Sequence, residues 1–171
     1  MPDPSPDAAQ QDPVQQDPVK QDPVKQDLAR LHRSRQFMDS LPHARALGMR
    51  LIQMGQGRAV VTMDYDPRFI GDPVTGVLHG GAISALMDTA SGASVMAHPE
   101  SPAATATLGL RIDYMRPATP GQRITARAEC YHVTRSVAFI RVTATDNDET
   151  RPVACGTGTF TLDRPNPDPA A

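Results

Sequence analysis

The sequence of 171 residues predicts an α+β fold, in which a curved six-stranded antiparallel sheet wraps around one long central helix. Two strand-like segments precede a single long helical segment, and four strand-like segments follow it. Connections of hairpin length join neighbouring strands, and such connections cannot make parallel pairs. The helical segment is apolar nearly all round, which indicates that other elements cover it.

Both ends of the chain are predicted to be disordered. The units QDPVQ, QDPVK and QDPVK run from Gln11 to Lys25, and their regular prolines block a helix. Residues 1–26 also offer too little apolar surface to offset the entropy of ordering. Residues 164–171, RPNPDPAA, are expected to form a second tail. The remaining residues, 27–163, suit one domain.

Composition excludes several classes of function. The chain has a net charge of -2 and no basic stripe with interleaved aromatic residues, so we expect no nucleic-acid partner. The sequence has neither a signal peptide nor 18 uncharged apolar residues in a row, which predicts a soluble, cytoplasmic protein without a membrane partner. The two cysteines and five histidines have no metal-ligand spacing, so we expect neither a metal nor a disulfide framework.

The domain is expected to begin with an appendage helix and a hairpin. Asp27 can cap a helix that ends at Pro42 and carries four apolar residues near one face: Leu28, Leu31, Met38 and Leu41. Two runs with strand character, 47–54 and 58–65, are separated by a glycine-containing turn, which predicts a hairpin. Residues 66–76 are rich in Pro and Gly and are expected to form a loop.

The central helix is predicted over 79–97, where Ala, Gly and Ser dominate. Small side chains allow close approach of neighbouring backbone, which suits a helix enclosed by a sheet. The four later strands are predicted at 105–114, 123–133, 137–145 and 152–162. In the first of them, one face is expected to hold the apolar residues Ala106, Leu108, Leu110, Ile112 and Tyr114, and the opposite face is expected to hold Thr107, Gly109, Arg111 and Asp113.

Two features of the central helix have the chemistry of a catalytic site. Gly80 and Gly81 open the helix, where the first amides lack an intrahelical acceptor and can form an oxyanion site for a ligand carbonyl. Taken alone, the pair is equally consistent with a tight turn. Asp88 is the only formal charge between Gly80 and Ala97. Desolvation should increase its basicity, which suits a base or a nucleophile, whereas a structural Asp bonded to hydroxyl or backbone groups is the alternative.

The distance between the glycine pair and Asp88 predicts that a second subunit completes the site. Gly80 and Asp88 are eight residues apart, which is about 12 Å of helix rise, and His79 and Asp88 face opposite sides of the helix. One substrate carbon cannot touch both groups within one chain. If both act, the chain must be a homodimer with two composite sites.

The segment GVLHGGAISALMDTA at 76–90 resembles the signature of hotdog-fold acyl-CoA thioesterases of the phenylacetic-acid-degradation type. The segments LGLRIDYMRPATPGQRITARAE and RSVAFIRVTATD resemble the same family, so the similarity spans roughly residues 40–162. It implies a hotdog fold, hydrolysis of acyl-CoA to a carboxylic acid and coenzyme A, no cofactor, and a homodimer that often assembles into a dimer of dimers.

The resemblance also implies roles for individual residues. Thr107 stands where relatives carry a Ser or Thr that places the water or the acid. Arg135 and Ser136 stand where the family's strand connection approaches coenzyme A, and Arg116 is a further candidate for substrate binding. A solvated surface arginine is the alternative for both arginines.

Around the glycine pair, the resemblance leaves two points open. His79 can orient the loop or bond the thioester region, although a capping histidine is the favoured interpretation. Pro73, beside Asp72, stands where many relatives have Asn, so a side-chain contribution to the oxyanion hole at this position stays open.

Two other functions stay open. An enoyl-thioester hydratase or dehydratase would share the fold, but residues 72–79 lack the Asn and the spacing of that pattern. A non-catalytic acyl-CoA-binding protein would not need an acid within an apolar helix. The sequence does not choose between aryl and straight-chain acyl groups.

Overall fold

The computed structural model describes residues 34, 36, 38–100, 102 and 104–163. The predicted α+β architecture is confirmed: six antiparallel strands form one sheet in the order β1-β2-β6-β7-β8-β5, and a long helix packs against it. The helices are α1 (Pro42–Ala46) and α2 (Gly80–Met96). The strands are β1 (Met49–Gly55), β2 (Arg58–Met63), β3 (Ile70–Asp72), β4 (Val77–Leu78), β5 (Thr107–Tyr114), β6 (Ile124–Val133), β7 (Val137–Thr145) and β8 (Ala154–Thr161).

The core lies between α2 and the concave face of the sheet. Strand β6 alternates as predicted, with its apolar side chains Ile124, Ala126, Ala128 and Cys130 turned toward the helix and buried. Helix α2 buries seven residues: Ile83, Leu86, Met87, Ala90, Ser91, Ser94 and Val95. The two buried serines donate hydrogen bonds to α2 carbonyls, both at 2.7 Å, so their hydroxyls do not weaken the core.

The N-terminal part of the domain contains a helix that the sequence did not predict. Residues 34, 36 and 38–40 are helical, and Leu41 is extended, as the predicted stop at Pro42 requires. Pro42 then begins the short helix α1, because proline fits the first turn of a helix. The predicted cap at Asp27 and both predicted tails lie outside the described residues.

Residues 66–76 were expected to form a loop, and this prediction was wrong in part. They contain a 3-10 turn, Pro67–Phe69, and strand β3, which pairs with β4 to make a separate two-stranded sheet. Strands of three and two residues are too short for an alternating pattern to identify.

Among the described residues, no helix is both long and apolar enough to cross a bilayer.

Strand β5 departs from its predicted alternation. It lies at the edge of the sheet and pairs with β8, and a β-bulge falls between Thr107 and Gly109. Without the bulge, residues seven apart in one strand would face opposite sides. With the bulge, Thr107 and Tyr114 both contact helix α2, one at each end of the strand. The prediction that Thr107 lies on the opposite face from Tyr114 was therefore wrong.

Candidate active site

The N-terminus of α2 leaves one backbone amide open. His79 is the N-cap residue, and its Nδ1 accepts a hydrogen bond from the Gly81 amide at 2.9 Å. The Ala82 amide donates to the His79 carbonyl at 3.0 Å. The Gly80 amide has no hydrogen-bond partner within the described part of the chain. His79 therefore caps the helix, and the open donor is at Gly80. From the sequence, Gly81 was expected to be the donor, with Gly80 as a second candidate.

Tyr114 holds this turn in place, a role that was not predicted from the sequence. Its hydroxyl donates to the Gly80 carbonyl at 2.6 Å and lies 2.7 Å from the Ser84 Oγ. Because the tyrosine has one proton, the Ser84 hydroxyl is the donor in the second bond. A Cβ at Gly80 would lie 3.1 Å from the Tyr114 hydroxyl, so the close approach of this side chain explains the glycine. A tyrosine at a strand end gave no sequence signal for this contact.

Asp88 is half-buried and lies on the face of α2 that β5 covers. The Thr107 hydroxyl donates to its Oδ1 at 2.8 Å, so the structure brings these two predicted site residues together. The Asp88 Oδ2 has no hydrogen-bond or ion-pair partner among the described residues. One oxygen is thus fixed by Thr107, and the other is available to a water or a substrate.

An apolar pocket of about 560 Å³ opens beside Asp88. It lies between α2, β1, the start of β5 and the helical residues before α1. Its described lining is Ser34, Met38, Leu41, Leu51, Met54, Asp88, Thr89, Gly92, Ala93, Met96, Thr105, Ala106, Thr107 and Phe160. Asp88 is its only charged lining residue among those described. From the sequence, Asp88 was expected to be buried. It is half-buried instead, because its side chain borders this pocket.

Arg135 and Ser136 lie in the exposed turn between β6 and β7. The Ser136 carbonyl accepts a hydrogen bond from the Leu162 amide at 2.9 Å. The preceding residue, Thr161, accepts a hydrogen bond from the Thr105 hydroxyl at 2.7 Å. Because Thr105 lines the pocket, this turn lies at the end of the sheet where the pocket is found.

Arg116, by contrast, is used inside the protein. Its guanidinium makes a bidentate salt bridge to Asp146, both bonds at 2.7 Å, and donates its other N–H groups to the carbonyls of Pro117 and Arg151. All five of its donors are occupied, which leaves none for a phosphate. The Asp146 side chain is 0% exposed. The hydrogen bonds from Arg116, with others from Thr119 and the Asp148 amide, hold the Asp146 pKa far below its ordinary 3.8.

We expect the substitution Arg116→Met to lower the free energy of unfolding by about 3–5 kcal/mol, because it leaves a buried carboxylate without its cation. Urea unfolding of the two proteins at neutral pH measures this difference. The control is Arg58→Met, which removes an exposed partner of Glu129 and should change stability by less than about 1 kcal/mol.

The same pair predicts an acid dependence of that difference. Because the folded-state pKa of Asp146 is depressed, its stabilising contribution is complete above its unfolded pKa, near 3.8, and is lost as the pH falls below it. The stability gap between wild type and Arg116→Met should therefore narrow below pH 3.8. A gap that is small at neutral pH would contradict the structural role of Arg116.

Residues 75–153 match the model of a family described as the thioesterase superfamily. The medium/long-chain acyl-CoA thioesterase YigI of Escherichia coli K12 is 30% identical over an alignment of 137 residues, and this alignment covers 72% of this chain and 87% of the relative. The chain belongs to the thioesterase superfamily. Gly80, Asp88 and Thr107 all lie within the segment that this superfamily's model matches, whereas the helical residues before α1 lie outside it.

Solved structures agree with this assignment. The phenylacetic acid degradation protein PaaI from Thermus thermophilus, solved as a mutant, shares 31% sequence identity at a TM-score of 0.62 over 71% of this chain and 98% of that chain. A protein from Pseudomonas aeruginosa shares 39% identity at a TM-score of 0.68 over 77% of this chain and 97% of its own. The hotdog fold and the resemblance to the phenylacetic-acid-degradation type are thereby confirmed for this member of the thioesterase superfamily.

Proposed function

We propose that this protein hydrolyses acyl-CoA thioesters to a carboxylic acid and free coenzyme A. The observation that carries the proposal is the Asp88–Thr107 pair at the wall of an apolar pocket, with one carboxylate oxygen left open. A carboxylate beside an apolar cavity suits a substrate that joins a polar reacting group to an apolar tail. The relative YigI, named a medium/long-chain acyl-CoA thioesterase, supports the same substrate class.

The proposal includes a homodimer formed through β5. This strand has no neighbour on its outer edge among the described residues, and large apolar side chains are exposed along it and just after it: Leu108 (59%), Tyr114 (49%) and Met115 (64%). An unpaired apolar edge strand is a ready template for pairing with another strand. A second copy of β5, related by a two-fold axis, would extend the sheet and cover these side chains.

This pairing would build the composite site that the spacing calls for. Thr107, at the start of β5, contacts Asp88, and Tyr114, at its end, contacts Gly80. When two copies of one strand pair in antiparallel fashion, the start of each lies beside the end of the other. Asp88 of one protomer would then lie beside the open Gly80 amide of its partner. Within one chain, Gly80 and Asp88 are separated by about 12 Å of helix, whereas across the proposed dimer interface the two groups would lie side by side.

In the proposed reaction, the partner's Gly80 amide donates to the thioester oxygen and stabilises the negative charge that develops there. Asp88 Oδ2 takes a proton from a water that attacks the carbonyl carbon, while Thr107 fixes the orientation of the carboxylate. The C–S bond then breaks, and the thiolate of coenzyme A leaves and is protonated. If Asp88 attacks directly instead, it displaces the coenzyme A thiolate and forms a mixed anhydride with the acyl group. Opening of this anhydride by water at the Asp88 carboxyl carbon in a single turnover in ¹⁸O-labelled water places the label on Asp88, whereas general-base catalysis labels only the product acid.

Arg135 and Ser136 are proposed to contact coenzyme A outside the pocket. The turn that holds them is exposed and lies at the pocket's end of the sheet, and Arg135 makes no hydrogen bond or ion pair with the described residues. A free guanidinium there suits the phosphates of the coenzyme. Arg116 is not part of this proposal, because its donors are all occupied.

A thiol-release assay with a panel of aryl and straight-chain acyl-CoA substrates tests the function. We expect release of coenzyme A without added metal or cofactor. Hydration of crotonyl-CoA, measured in parallel, would instead indicate a hydratase. Tight binding of acyl-CoA without thiol release across the whole panel would indicate a binding protein and would refute the proposed hydrolysis.

A further inference from the structure

We infer that the pocket beside Asp88 receives an unbranched aliphatic acyl chain, and that Gly92 and Met38 on its two walls set the length of that chain. The inference rests on the proposed hydrolysis, because it places the thioester at Asp88 and the acyl tail in the pocket.

The α2 wall of the pocket is a straight groove. Its lining residues fall at 88–89, 92–93 and 96, which is the spacing of one face of a helix. From Asp88 to Met96 this face rises by about 12 Å. A chain attached to a thioester at Asp88 can therefore run along the helix toward its C-terminus without turning.

The groove offers an acyl tail little besides apolar contact. The Thr89 hydroxyl donates to the Ala85 carbonyl at 2.8 Å, and the Thr105 hydroxyl donates to the Thr161 carbonyl at 2.7 Å, so both are already satisfied. Thr107 is engaged by Asp88. A polar or hydroxylated acyl group would lose its water and find few partners there, which favours a hydrocarbon tail.

The side chains around the pocket favour an aliphatic over an aryl group. Three methionines, Met38, Met54 and Met96, line the pocket, together with Leu41 and Leu51. Phe160 is the one aromatic residue in the described lining. Methionine side chains are unbranched and adjust to a flexible chain, whereas an aryl group gains most from stacking on aromatic neighbours.

Each wall of the pocket offers one residue whose size can set the length of the tail. Gly92 lies in the middle of the helical wall, and a Cβ there would have one neighbour within 4 Å, Phe160 at 3.8 Å. A larger side chain at this position must project into the groove. Met38 is 5% exposed and closes the opposite wall from a segment that the superfamily's model does not match.

The test compares kcat/KM for acetyl-, hexanoyl-, decanoyl-, palmitoyl- and phenylacetyl-CoA in the full chain and in two variants. Gly92→Leu should lower the ratio of decanoyl to acetyl activity at least about tenfold, because methylenes excluded from an apolar pocket each lose binding energy. Met38→Ala should raise the ratio of palmitoyl to decanoyl activity. The matched control is Gly55→Leu, which adds the same bulk where nothing lies within 4 Å and should leave the ratios unchanged.

The outcomes separate the inference from the function on which it rests. If the wild type hydrolyses the panel but neither ratio moves in its variant, the pocket does not hold the tail and the inference is overturned, while the hydrolysis stands. If Gly92→Leu does not fold, the Met38→Ala ratio alone decides. If the wild type prefers phenylacetyl-CoA over every straight chain, the aliphatic assignment fails. If it releases no thiol from any substrate, the proposed function and this inference fail together.

Discussion

The substitution Asp88→Asn is expected to reduce kcat for acyl-CoA hydrolysis by about 10²–10⁴-fold, which is the usual contribution of a general base. The asparagine amide has a nitrogen in place of Oδ2 and cannot take a proton from water there. It also cannot replace the carboxylate as a nucleophile, which matters if Asp88 attacks the thioester directly. The asparagine oxygen can still accept the 2.8 Å hydrogen bond from Thr107, so the local structure is retained. The measurement is steady-state thiol release with the best substrate of the panel.

The control for this loss is Asp64→Asn. Asp64 is a half-buried aspartate that pairs with Arg50 and Arg123, away from the pocket. Its removal should leave kcat unchanged and stability within about 1 kcal/mol. Size-exclusion chromatography and the far-UV spectrum of both variants establish that fold and assembly are kept. Full activity in Asp88→Asn would remove this residue from the mechanism.

Periodic segments of the fold could be predicted from the sequence because burial of one face produces a regular pattern of apolar and polar residues. Strand β6 alternates over its first seven residues, and the sequence shows the same alternation. Helix α2 is apolar on all sides, so its position inside the sheet follows from composition. Asp88 could be chosen as a candidate site residue because a charged side chain in an apolar helix costs free energy unless it is paired or has a function.

Features that depend on single contacts could not be predicted. The bulge in β5 brings Thr107 and Tyr114 to one face, and no residue pattern in 107–114 indicates it. The Arg116–Asp146 pair joins residues 30 apart in sequence, so the sequence offered Arg116 only as a substrate-binding candidate or a surface arginine. At the helix start, the sequence shows two glycines but not which amide His79 caps, and this choice moves the open donor to Gly80.

That open donor can be removed by one substitution, and a matched control carries the same added Cβ. Gly80→Pro deletes the amide proton at the first position of α2, where proline is well tolerated. His79 has φ -62° and ψ 133°, which is the backbone conformation that a following proline requires. We expect kcat to fall by about 10²–10³-fold, the cost of losing one oxyanion donor. Gly80→Ala is the matched control: it brings the same Cβ toward Tyr114 but keeps the amide proton, so it should lose much less activity than Gly80→Pro.

Mixing the two inactive variants then tests the composite site directly. In a heterodimer of Asp88→Asn and Gly80→Pro, one site combines both substitutions, and the other combines the intact Asp88 of one chain with the intact Gly80 of its partner. Random exchange of equal amounts makes half of the dimers mixed, each with one intact site, so about a quarter of wild-type activity should return. If both groups acted within one chain, every site would carry a substitution, and the mixture would stay as inactive as its components.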